Sequence, residues 1–149
     1  MEINIEDNFS LLFDKNNNTA YKALQALQKE CEKSNRVYCY MDKLADMIDS
    51  DNSYIRTRGL TLIAYNAKWD IDNKIDEIID EYLKHIEDVK PITARQCIKL
   101  MPMIAKNKPE LKCDIVSALQ KADKSIYADS IQPLVYKDIQ NSLAEIEKL

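Results

Sequence analysis

The chain has 149 residues, a net charge of −4, one glycine (Gly59) and four prolines. A single domain spanning 1–149 is the simplest expectation, and at this length it would bury roughly 70% of its unfolded surface. So few glycines exclude a β-sandwich or a Rossmann-type α/β fold, and the negative balance removes an overall field for nucleic acid.

Four short polar or proline-containing breaks divide the chain: "FDKNNNTA", "DSDNSYI", "EDVKPIT" and "KADKSIY". Their aspartates, Asp14, Asp51, Asp88 and Asp123, stand 37, 37 and 35 residues apart. After the first break, Ala23, Leu24, Leu27 and Cys31 trace one face of a helix. "VYCYMDKLADMI" is a second amphipathic segment. After the next break the same face returns as Gly59, Leu60, Ile63 and Ala67. "DIDNKIDEIIDEYLKHIED" follows, with Ile71, Ile75, Ile78, Ile79, Tyr82, Leu83 and Ile86 in one apolar stripe.

Pro91 opens the next helix, which repeats the face as Cys97, Ile98, Met101 and Ala105. Pro102 falls inside it and is expected to kink it or split its last turn. Pro109 opens "PELKCDIVSAL", and Ile131 is the expected fourth counterpart of Ala23, Gly59 and Cys97. "KDIQNSLAEIEKL" reads as a capping helix. The expectation is about eight helices in pairs that stack to share one core.

The paired-helix period, the turn aspartate and "SYIRTRGL" resemble a HEAT or armadillo-type α-solenoid. The fold this implies is all-α, an α-α superhelix of about four helix pairs. The chain is also similar to small bacterial HEAT-like proteins, some carried under a SufBD label that refers to iron–sulfur cluster assembly. No cysteine cluster or cofactor motif in the sequence supports that label.

The resemblance implies that Arg56, the second-helix arginine, pairs with a turn aspartate: Asp14, Asp51 or Asp88. Arg58 lies about 200° around the helix from Arg56 and aligns with Lys22 and Gln96. With Gln25, Thr61, Tyr65 and Lys99 they form a mildly basic polar stripe, expected on the concave surface lined by second helices. Trp69, the only tryptophan, reads as a packing plug at a helix junction.

No catalytic constellation is present. His85 has no second His, Ser or Cys at a recognisable spacing, and residues 70–81 lack an EF-hand loop. Cys31, Cys39, Cys97 and Cys113 fit neither a zinc site nor a disulfide framework. The acidic start "MEINIEDNF" is unlike a signal peptide, and no run approaches the ~20 apolar residues of a membrane span. The expectation is therefore a cytoplasmic protein without metal or cofactor.

The sequence points to a non-enzymatic scaffold that binds a protein or peptide on its concave face. The alternative is nucleic-acid binding, because "NSYIRTRGL" resembles segments of HEAT-like glycosylases acting on alkylated DNA bases. There Tyr54, Trp69 and Asp70 would take part, but the basic groove of such enzymes is missing. The sequence leaves the oligomeric state open.

Overall fold

Asparagine side chains begin three of the helices. Asn4 Oδ1 accepts the Asp7 N–H at 2.9 Å, Asn16 Oδ1 accepts those of Asn18 and Thr19 at 2.9 and 3.1 Å, and Asn52 Oδ1 accepts that of Tyr54 at 2.9 Å. Each satisfies N–H groups that have no partner within their own helix. The computed structural model describes residues 2–149. Among them lie eight α-helices and no strand: α1 (Ile5–Leu11), α2 (Asn17–Lys33), α3 (Met41–Met47), α4 (Ser53–Tyr65), α5 (Lys74–Leu83), α6 (Pro91–Asn107), α7 (Lys112–Lys121) and α8 (Gln132–Glu147). None is long and apolar enough to cross a membrane.

The chain divides into two compact units, Met1–Asp72 and Asn73–Leu149. In the first, α1 packs on α2, α3 on α4, and α2 on α4. Leu12, Leu27, Leu44, Leu60 and Ile63 are fully buried there. In the second, α6 packs against α7, α8 and the 3-10 turn Lys84–Glu87 that continues α5. Ile75, Tyr82, Ile98, Ile104 and Ile115 fill that core.

The second helix of every pair buries residues at the same five offsets. These are 20, 23, 24, 27 and 31 from α2, and 56, 59, 60, 63 and 67 from α4 and the 3-10 turn Ala67–Trp69. In α6 they are 94, 97, 98, 101 and 105, and in α8 they are 135, 138, 139, 142 and 146. The expected fourth anchor, Ile131, is therefore corrected to Asp138. Ile131 only caps α8, because the 3-10 turn Lys124–Ile126 and a short loop delay the start of the helix.

The turns keep a register of their own. A side-chain oxygen accepts the N–H two residues on: Asp14 from Asn16 at 2.8 Å, Ser50 from Asn52 at 3.1 Å, Asp88 from Lys90 at 2.9 Å and Asp123 from Ser125 at 2.9 Å. Ser50, and not Asp51, is the second member. Any short side chain with an oxygen can form this local turn. From Asp14, Ser50 and Asp88 the distance to Ala23, Gly59 and Cys97 is then nine residues each time.

Two other expectations change. Ile71 is 88% exposed, because α5 begins only at Lys74, after Asn73 in the left-handed conformation (φ 56°). The buried stripe of α5 and its 3-10 continuation is Ile75, Ile79, Tyr82 and Ile86. Helix α6 runs through Pro102 to Asn107 without a break. Proline has no N–H to give to the carbonyl four residues back, that of Ile98. Ser142 Oγ on α8 donates to that carbonyl instead, at 2.8 Å and buried.

Candidate functional site

The polar stripe starts on α2, where Lys22 and Gln25 are both exposed and stand three residues apart on one side of the helix. On α4 it turns inward. Arg58 is 7% exposed, and its guanidinium donates to the carbonyl of Leu12 at 2.7 Å and to Asn17 Oδ1 at 3.4 Å. Leu12 is the C-cap of α1, so Arg58 satisfies a carbonyl left free at a helix end and clamps α4 to the first turn. Burial draws its guanidinium below the ordinary value. The expectation of a solvent-facing Arg58 is thus corrected. Its partner lies 46 residues upstream, where helical spacing cannot point.

Thr61, also expected on the stripe, is 2% exposed, with its hydroxyl donating to the Thr57 carbonyl at 2.8 Å. Tyr65 is half-buried. In the second unit, Lys99 is exposed on α6 and Gln96 half-buried. Lys22 and Gln25 on α2, and Lys99 on α6, are therefore the stripe residues most open to solvent.

The residues expected to support the fold have defined contacts. Arg56 is buried and donates to the carbonyls of Ser50 and Asp51 at 3.0 and 3.2 Å, so it braces its own turn through backbone oxygens. Asp14 and Asp123 accept N–H groups in their turns, and the hydroxyl and then the N–H of Ser125 hold the Asp123 carboxyl below its usual range. Asp88 is buried; His85 Nδ1 lies 2.7 Å from its Oδ2, and the Tyr127 hydroxyl donates to its carbonyl at 2.6 Å.

Trp69 Nε1 donates to the carbonyl of Cys31 at 2.7 Å, and Lys68 Nζ to that of Glu32. Both carbonyls end α2, so the junction closes that helix as Leu12 and Arg58 close α1. Beside them Asp70 is buried and accepts the Tyr38 hydroxyl at 2.6 Å. Burial, then this bond to Asp70, raises the Tyr38 hydroxyl well above its ordinary value. Trp69 and Asp70 are thus engaged within the junction.

Several polar pins carry no motif in the sequence. Arg95 Nε meets Asp138 Oδ2 at 2.6 Å, tying α6 to α8. Lys108, nearly buried, reaches Asn73 Oδ1 at 2.6 Å, Asp76 Oδ1 at 2.8 Å and Glu110 Oε2 at 3.2 Å. The Asp138 position could have been found from the second-helix register once Ile131 was set aside. Lys108 has no such signal.

Among the described residues no three His, Cys, Asp or Glu side chains are placed to hold a metal. Cys31 and Cys97 are buried, and burial pushes the Cys31 thiol up to about 12. A thiol held protonated in this way is a poor nucleophile.

A family model described as a HEAT repeat domain matches residues 2–142. The chain belongs to the HEAT repeat domain family. No curated protein and no solved structure matches it. In HEAT terms, α2, α4, α6 and α8 are the second helices of four pairs, and the chain is all-α with the helix content of an α-α superhelix. HEAT repeats are a protein-interaction kind of module.

Proposed function

We propose that this HEAT repeat domain is a non-catalytic scaffold that binds an acidic or polar stretch of a protein partner through the polar side of its second helices. The observation that carries the reading is the pair Lys22 and Gln25, exposed side by side on α2 while Arg58 and Thr61 of α4 are drawn into the fold. Lys99 on α6 adds a second exposed cation in an equivalent helix. Long side chains on such a face keep their charge in water and cost little to redirect toward a ligand. Arg58 acts here as a positioning residue, holding α4 against the first turn.

Affinity capture from lysate, nuclease-treated and untreated, tests this, with wild type beside a Lys22→Glu, Lys99→Glu variant of unchanged helicity. The expected result is a protein retained by wild type and lost from the variant. Equal retention by both overturns the choice of face, and retention that nuclease abolishes transfers the role to nucleic acid.

A further inference from the structure

In the first unit, residues from the turn before α2 and from the start of α4 line a cleft of about 290 Å³. That volume lies at the lower end of small-molecule sites. Phe13, Tyr54 and Ile55 give it an apolar wall. Phe13 is 48% and Tyr54 57% exposed, so this wall is open to a ligand. The charged lining is Arg58 and Lys15 against Asp14. Asn17, the first residue of α2, and Asn52, the N-cap of α4, also line it. Two helices of 17 and 13 residues therefore begin at the cleft and bring the positive ends of their dipoles to it.

Arg58 is the group that calls for a ligand. It is 7% exposed, yet its acceptors are two neutral oxygens, the Leu12 carbonyl and Asn17 Oδ1, with the Tyr54 ring 5.7 Å away. Among the described residues no carboxylate lies within ion-pair distance of it. Arg95, which is less buried, has Asp138. Burying a cation without an opposite charge is unfavourable, and two neutral acceptors leave most of the five N–H groups of a guanidinium to be satisfied. The asparagines beside it are oriented alike. Asn17 Oδ1 accepts from Arg58 and Asn52 Oδ1 from the Tyr54 N–H, so each amide keeps its Nδ2 donors for another acceptor. The cations, the amide donors and the helix starts all favour a negatively charged oxygen.

We propose that this cleft binds an organic carboxylate with a compact apolar body. The carboxylate takes the open N–H groups of Arg58 and the Nδ2 donors of Asn17 and Asn52, with Lys15 at the rim. The apolar body lies against Phe13, Tyr54 and Ile55. Asp14, which faces the same space, opposes a second negative charge and so favours a monoanion over a phosphate dianion. A free aromatic acid and the C-terminal residue of a peptide share this chemistry. The cleft includes neither Lys22, Gln25 nor Lys99, so it and the second-helix face proposed above can fail separately.

The test is an NMR titration of the full chain with phenylacetate, N-acetylphenylalanine, N-acetylphenylalaninamide and inorganic phosphate. The two carboxylates shift the Arg58 Nε–H and the Asn17 and Asn52 side-chain amide signals saturably, and the neutral amide does not. Tighter binding of phenylacetate identifies a free acid as the ligand, and tighter binding of N-acetylphenylalanine identifies a chain end. Arg58→Lys weakens binding by about tenfold or more, and Lys15→Glu by about threefold or more. Lys29→Glu, about three turns further along α2, changes it by less than about twofold. Lys15 precedes the N-cap of α2, where the dipole favours an acid, so Lys15→Glu keeps or raises thermal stability and separates lost binding from unfolding. Unmoved Arg58 and asparagine signals, equal affinity for the neutral amide, or equal weakening by Lys29→Glu overturns the proposal. Phosphate binding as tightly as the carboxylates also overturns it, since the apolar wall then contributes nothing.

Discussion

Ser142→Ala lowers the stability of the protein by about 1–3 kcal/mol, the cost of a buried acceptor left without a donor, and most of that loss disappears in a Pro102→Ala background. The cause is local to α6 and α8. Pro102 cannot donate to the Ile98 carbonyl, and the Ser142 hydroxyl does so from α8 at 2.8 Å. Alanine at 102 restores the helical N–H and makes the serine dispensable. Urea unfolding of the two single variants and the double variant measures this as a coupling of about 1 kcal/mol or more. Additive losses would show that Ser142 matters for a reason unrelated to the proline.

Gly59→Ala is destabilising even though alanine is the better helix former by about 1 kcal/mol. A Cβ at Gly59 would stand 2.8 Å from Met47 Cβ, 3.1 Å from the Leu44 carbonyl oxygen and 3.3 Å from Ile48 Cγ2. Two of these neighbours are backbone or backbone-proximal atoms of α3, which move only if the helix moves. Overpacking of this kind costs about 1–3 kcal/mol, so the net loss expected reaches about 2 kcal/mol once the helix gain is subtracted, and Gly59→Val loses more. A thermal midpoint equal to or above that of wild type would show that α3 shifts freely and that the close approach is not required.

These two sites differ in how far the sequence announced them. The small position at 59 follows from the helical repeat, since Ala23 and Cys97 occupy it in other pairs and all three are buried. Ser142 stands where Leu27, Ile63 and Met101 stand in the earlier second helices, and its polarity makes sense only once the Ile98 carbonyl is seen beside it. The turn register slipped by one because Asp51 sits next to Ser50, and composition favours the aspartate while the hydrogen bond uses the serine. Arg58 was misplaced for a related reason. Helical spacing tells which residues share a face of one helix, but not that a carbonyl at the end of another helix lies within reach. Lys22, Gln25 and Lys99 are exposed, on the surface where periodicity put them.

The most direct test of the interaction role is amide hydrogen exchange on the wild-type chain, alone and with the protein recovered by affinity capture. Binding through the second helices slows exchange in α2 around Lys22 and Gln25 and in α6 around Lys99, and the Lys22→Glu, Lys99→Glu variant shows no such slowing. Slowing confined to segments outside both helices, present equally in the variant, would contradict it.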